Sequence, residues 1–333
     1  MSIEEGAATG WTDHHGHGLL SRAASLGHNG ILKLLLEHGK INVDISDDEG
    51  RTPLSWAASS GHTSALQILL ETEQVQIDSK DYEGRTPLSW AAQHGHEEIV
   101  RLLLQTGEVD IDSRDVYGVS PLSWAAEGFQ EAVMELLIKT GEVNVDAKDY
   151  EGVTPLSRAA SNGFEGGVQL LLQTEMVDVD SKDNDGRTPL SWAAGVGRED
   201  VVESLLRTGM VAVDSRDHDG RTPLSWAAEW GSENVVKYLL RNRIVDVDSI
   251  DHNGRTPLSW AAESGSEYVV ILLLQTRKVH VDLKDSNGLT PLCWAAKRSN
   301  EDILELLLEY EKVKRNSHGR KDVNTVMLGH AER

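Results

Sequence analysis

A chain of 333 residues with 39% hydrophobic and 26% charged residues has the composition of an ordinary soluble protein and enough apolar content for a sizeable core. Its formal net charge of -22 opposes non-specific attachment to nucleic acid or to an anionic membrane, so a neutral or basic partner is favoured. The single cysteine, Cys293, permits no intramolecular disulfide, and the opening MSIEEGAATGW lacks a basic and apolar leader, so a cytoplasmic or nuclear address is expected, without membrane spanning.

Every proline lies on one lattice, Pro53, Pro87, Pro121, Pro155, Pro189, Pro223, Pro257 and Pro291, at steps of 34 residues. Turn residues keep the same step and start one unit earlier, at Asp13 and Gly16. Nine units result, beginning at residues 13, 47, 81, 115, 149, 183, 217, 251 and 285, after a lead-in over 1–12 and before a tail over 317–333 that is expected to be mobile.

Repeat one carries Leu19 in the proline position and Gly18 in the preceding threonine position, as a terminal cap does. The third unit shows the regular pattern. Asp81 to Gly84 reads as a turn, Thr86 as an N-cap, and Pro87 as the first helical residue, where its missing amide hydrogen does no harm. Leu88, Ala91 and Ala92 form an inward stripe, and Gly95 ends the helix. Glu97 and Glu98 open a second helix at its positive end; Ile99, Val100, Leu103 and Leu104 are its buried stripe, and Gly107 stops it. Val109 to Asp112 reads as a strand-like connector, and its acidic pair as a solvated edge. In repeat four, Phe129 replaces the glycine between the helices, and Gly128 is expected to serve instead after a one-residue shift. The lattice fails after Leu308, where a closing fragment is expected; Lys312, Lys314, Arg315, Arg320 and Lys321 give that end local positive charge. One unit cannot bury both of its helical stripes, so like units must stack.

The segment T-P-L-S-W-A-A resembles the signature of the ankyrin-repeat family, and the G-H-x-x-x-V-x-x-L-L-L-x-x-G pattern resembles the remainder of that repeat. The resemblance covers residues 13–316 and implies an all-α solenoid of about nine helix-turn-helix units joined by hairpin-like turns, curved, with a concave groove. Serine stands where the family commonly has histidine after the leucine. The repeat wording is also similar to arrays of fungal NACHT/NLR-type ankyrin proteins, often sensor halves of receptors, although no G-x-x-x-x-G-K-[ST] phosphate loop is present here. The family implies binding of protein partners by turn tips and helix surface.

Two sets of positions vary between repeats. The first is the turn pair before the glycine, including Tyr82, Tyr117, Tyr150, His218 and His252. The second follows the paired alanines and includes His94, Glu127, Glu229, Trp230 and Glu263. Trp56, Trp90, Trp124, Trp192, Trp226, Trp260 and Trp294 form a ladder, interrupted by Arg22 and Arg158. Two readings stand: indoles wedged between neighbouring first helices, which is favoured, or an acidic aromatic groove for a cation. Trp226, Glu229 and Trp230 make repeat seven the most distinctive patch.

The His14-His15-Gly16-His17 run falls on a turn and is not assigned a metal, and His28, His62 and His96 are read as structural residues at helix starts. Cys293 takes a serine position and is expected to be half-buried. No nucleophile triad or carboxylate pair stands apart from the repeats, so no catalysis, cofactor or metal is expected. The chain reads as a monomeric protein-binding scaffold, with a binder of a cationic small molecule or an atypical enzyme using the tryptophan-lined groove as the alternative.

Overall fold

A computed structural model describes residues 12–38, 41–72, 74–241 and 245–316. The expected tail over 317–333 and most of the lead-in lie outside them. Among the described residues there are eighteen helices in nine pairs and no strand. The pairs are α1 (Leu19–Ser25) with α2 (Asn29–His38), α3 (Pro53–Ser60) with α4 (Thr63–Leu70), and α5 (Pro87–His94) with α6 (Glu97–Gln105). Next come α7 (Pro121–Glu127) with α8 (Glu131–Lys139), α9 (Pro155–Asn162) with α10 (Glu165–Gln173), and α11 (Pro189–Val196) with α12 (Glu199–Arg207). The last are α13 (Pro223–Glu229) with α14 (Glu233–Arg241), α15 (Pro257–Ser264) with α16 (Glu267–Gln275), and α17 (Pro291–Lys297) with α18 (Glu301–Asn316).

The chain forms two compact units, one of residues up to Ala159 with Gly166–Val177, the other of Ala160–Glu165 with Asp178 onward. In the first, α1, α3, α5 and α7 pack in sequence, backed by the row α2, α4, α6 and α8. In the second, α11, α13, α15 and α17 form one row and α12, α14, α16 and α18 the other. Burial follows the inward stripes: Leu54, Ala57, Ala58, Leu66 and Leu69 have no exposed surface, nor do their counterparts Leu224, Ala227, Ala228, Val236 and Leu239. Each such leucine contributes roughly 1.5–3 kcal/mol by leaving water.

Each first helix starts as its sequence directs. Thr86 Oγ1 accepts the Ser89 amide hydrogen at 3.3 Å and Pro87 follows at the first helical position. The serine after the leucine adds a buried hydroxyl contact, Thr86 Oγ1 to Ser89 Oγ at 3.2 Å. Six of the second helices are followed by a threonine whose hydroxyl donates back to the carbonyl three residues earlier, as Thr106 does to Leu103 at 2.7 Å.

Four expectations need correction. The connector is not strand-like: it is a series of turns tied to the next repeat by its second aspartate, and the acidic pair is more than a solvated edge. Asp112 accepts the Asn144 amide at 3.0 Å, and Asp78, Asp180, Asp214 and Asp248 repeat the contact 32 residues apart. In repeat four, Gly128 does not take over the left-handed position; Phe129 itself adopts φ 60. Gly128 is held to glycine for another reason, because a Cβ there would lie 2.1 Å from the Gln93 carbonyl oxygen of the preceding repeat. Cys293 is exposed, whereas the serines in its position, Ser55 to Ser259, are buried, because no described repeat lies beyond α17 to cover it. After Leu308, where a closing fragment is expected, α18 continues to Asn316, with Tyr310 buried at 5% exposure.

Candidate functional site

The turn before each first helix organises the variable positions. Asp81 Oδ1 accepts the amide hydrogens of Glu83 and Arg85 at 3.0 and 2.9 Å, and the same pattern recurs in the other turns. Neighbouring tips are joined by their backbones: Tyr82 N donates to Glu49 O at 3.0 Å, Tyr150 N to Tyr117 O at 2.9 Å, and His252 N to Asp219 O at 2.8 Å. Gly50 and Gly118 have φ 79, and a Cβ on either would strike the next tip's tyrosine within 2.8 Å, so glycine is required there.

The remaining oxygen of that aspartate binds the tryptophan ladder. Asp47, Asp81 and Asp115 in the first unit accept the indole hydrogens of Trp56, Trp90 and Trp124 at 2.7–3.1 Å. Asp183, Asp217, Asp251 and Asp285 do the same for Trp192, Trp226, Trp260 and Trp294 in the second. The ring faces are covered as well. Arg85 lies 4.6 Å from the Trp90 centroid and 3.8 Å from that of Trp124, and Arg221 lies 3.6 and 4.1 Å from Trp226 and Trp260. Arg51, Arg187 and Arg255 make the same two-sided contact. Indole and guanidinium therefore alternate along each unit, and every arginine joins its own repeat to the following one.

These arginines are the residues that the sequence reading missed. Their signal was present: five arginines, each four residues after the turn aspartate and each directly before the capping threonine. Where valine occupies the slot, at Val119 and Val153, no such stack forms. Arg158, in the tryptophan position of repeat five, instead places its guanidinium 2.5 Å from both Asp149 Oδ2 and Glu127 Oε2.

The predicted site residues divide into two groups. The tips are exposed: Tyr82 at 73%, Tyr117 at 58% and Tyr150 at 67%, with His218 and His252 also open to solvent. Among residues after the alanines, the carboxylates are engaged within the chain: Glu127 with Arg158, Glu229 with Arg221, and Glu263 with both Arg255 and Arg298. Burial works to raise the Glu263 pKa, but the two guanidinium groups outweigh it and hold the carboxyl below its ordinary value. His94 stacks on Trp90 and donates from Nδ1 to the Trp90 carbonyl at 2.9 Å. Trp226 belongs to the ladder. Trp230, at the C-terminal cap of α13, is 68% exposed and takes no part in it.

In the second unit lies a cleft of about 620 Å³ lined by Glu229, which precedes Trp230 in the chain, and by Arg255, Trp260, Glu263, Arg298 and Asn300. Its walls combine ionic groups with one indole edge. On the other side of the first helices, His62 and His96 stand at helix starts as expected, but their rings do not cap those helices. Each donates from Nε2 to a carbonyl of the preceding repeat, Ser25 and Ser59, at 3.0 Å. Burial pushes the His96 imidazole below its usual pKa.

The family pattern for ankyrin repeats (3 copies) matches this chain over residues 2–81, 20–115, 73–149, 107–183, 137–216, 156–251, 197–285 and 243–318. The chain belongs to the ankyrin-repeat family. Its paired helices are the solenoid units of that family, and ankyrin repeats generally mediate protein–protein interaction. No curated protein matches the chain. Among the described residues, no helix of this ankyrin array is long and apolar enough to cross a membrane.

Proposed function

We propose that this ankyrin array is a non-catalytic recognition scaffold that holds a protein partner, with repeats seven to nine as the centre of contact. One observation carries the reading: Trp230 presents a largely exposed indole, and its chain neighbour Glu229 lines an open cleft, while the seven ladder indoles are each bound to an aspartate. A large apolar ring fixed at a helix end is the kind of group that dominates binding energy at interfaces. The ionic cleft would supply register and selectivity around it.

The exposed tips Tyr82, Tyr117, Tyr150, His218 and His252 extend the candidate surface within their respective units, and the net charge of -22 favours a partner that is neutral or basic at the contact. A sensor role is what the likeness of the repeat wording to fungal NACHT/NLR-type arrays implies, and the single cysteine favours a cytoplasmic or nuclear address. The covered ladder faces weigh against a cationic small molecule as the principal ligand, because it would have to displace the protein's own guanidinium groups.

The test is site-specific photocrosslinking in extract, with a benzophenone side chain at position 230 and, as a control, at Tyr268 on α16. The same protein band should be captured from position 230, be absent from 268, and be competed by unlabelled wild type. It should not be competed by Trp230→Ala or Glu229→Lys variants of equal helicity. Equal capture at both positions, or equal competition by both variants, removes repeats seven to nine from the site.

A further inference from the structure

His17 occupies the slot that arginine fills in five other repeats. It lies four residues after Asp13, as Arg51 does after Asp47, and it makes the corresponding contacts to the next repeat. Arg51 approaches Asp81 Oδ2 at 4.0 Å and covers Trp90 at 4.2 Å; His17 approaches Asp47 Oδ2 at 3.4 Å and meets Trp56 edge-on at 5.0 Å. Its other nitrogen, Nδ1, lies 2.9 Å from Asp13 Oδ2. Both ring nitrogens therefore face carboxylates, and the imidazole side chain is only 13% exposed.

A neutral imidazole has one N–H and one lone pair, so with either tautomer a lone pair would point at one carboxylate. Only the imidazolium presents an N–H to both, hydrogen-bonding Asp13 through Nδ1 and facing Asp47 as an ion pair at 3.4 Å through Nε2. The surrounding charges are consistent with that requirement. Asp13 is drawn down to about 2: burial acts to raise it, but the amides of His15 and His17 and the His17 ring prevail. Arg22 Nε on α1 lies 3.7 Å from Asp13, the His15 ring is 5.6 Å from that of His17, and Asp47 is fully buried and also holds the Trp56 indole. Arg51 lies over the Trp56 ring, 4.8 Å from its centroid.

We propose that His17 is a proton-operated lock that fastens repeat one to repeat two while its imidazole is charged and releases it when that proton is lost. The arginines of the other slots keep their charge, so a lock of this kind is confined to the first repeat. Release would uncover the buried faces of α1 and α3 at this end, including Leu20, Ala24, Leu54 and Ala58.

Amide hydrogen exchange of the whole chain, corrected for intrinsic rates, tests this between pH 5.5 and 8. Protection of the Arg22 and Leu32 amides should fall about tenfold relative to the Val100 amide in repeat three, the scale expected for one charge-assisted hydrogen bond. In His17→Arg that ratio should stay high at every pH, and in His17→Gln it should stay low. A wild-type ratio that does not change, or a change that persists in either variant, overturns the proposal; persistence would assign the titration to His14, His15 or His62.

Discussion

Arg158 Nη2 lies 2.5 Å from Asp149 Oδ2, in the place where other repeats set an indole hydrogen. The same guanidinium holds Glu127, which has no arginine in its own repeat because Val119 fills that slot. Removing it in Arg158→Ala leaves the buried Asp149 with only its backbone amide partners, and should cost about 2 kcal/mol, less than a fully buried pair because Arg158 is part-exposed. Adding Asp149→Asn removes the stranded charge. The double variant should therefore be more stable than the sum of the two single losses, as read from denaturant midpoints; strict additivity would mean the pair is not coupled.

Repeat four offers two substitutions of opposite sign at adjacent positions. Phe129→Gly should stabilise by about 1 kcal/mol, since φ 60 is strained for a side chain and open to glycine. Gly128→Ala should destabilise, because its Cβ would collide with the Gln93 carbonyl, which belongs to rigid backbone. Thermal unfolding of the two variants checks the pair, and the same sign for both would contradict the geometry.

The ladder predicts that arginine cannot be exchanged for lysine. Arg221→Lys should lose about 1–2 kcal/mol, because an ammonium cannot lie flat between Trp226 and Trp260 while also holding Glu229. Tetramethylammonium at millimolar concentration should leave the intrinsic indole emission of the wild type unchanged. Saturable quenching would show that the ring faces are open to cations.

Acidity should act through the connector aspartates. Burial raises the carboxyls of Asp78, Asp112, Asp180 and Asp214 above their ordinary value, so the folded chain holds more protons than the unfolded chain just above that value. Their contribution to stability is complete below the unfolded pKa and is lost as the pH rises through the folded pKa. The Tm of the wild type should gain on going from pH 7 to pH 5, and replacing all four by asparagine should diminish that gain. Asp13 and Glu263 are lowered and act in the opposite sense, losing stability as acid protonates them. An identical gain in the asparagine variant would remove the connectors as its source.

The helices were legible in the sequence because their causes are local: Thr86 and Pro87 start a helix by backbone chemistry alone, and Gly95 at φ 75 ends it. The inward stripe was legible from spacing, and Leu88, Ala91 and Ala92 are buried as that spacing requires. Partners one repeat away were not. Asp112 reads as an exposed acid in its own segment and becomes a clasp only when the Asn144 amide arrives from the next unit. Phe129 breaks the glycine rule without breaking the turn, because the close approach of Gln93 reserves the only nearby glycine for another task.

The amino-acid sequence by itself therefore determined the repeat, its helices and the family to which the chain belongs, since each follows from periodicity and from interactions within about ten residues. The tertiary structure alone decided which side chains remain available to a partner. Trp226 and Trp230 are the same residue type four positions apart on one helical segment, yet the first is bound by Asp217 and covered by Arg187 and Arg221, and the second is left in solvent. That difference depends on the neighbouring repeat's turn, which delivers Arg187 to the ring face through stacking between units that are 34 residues apart in the chain.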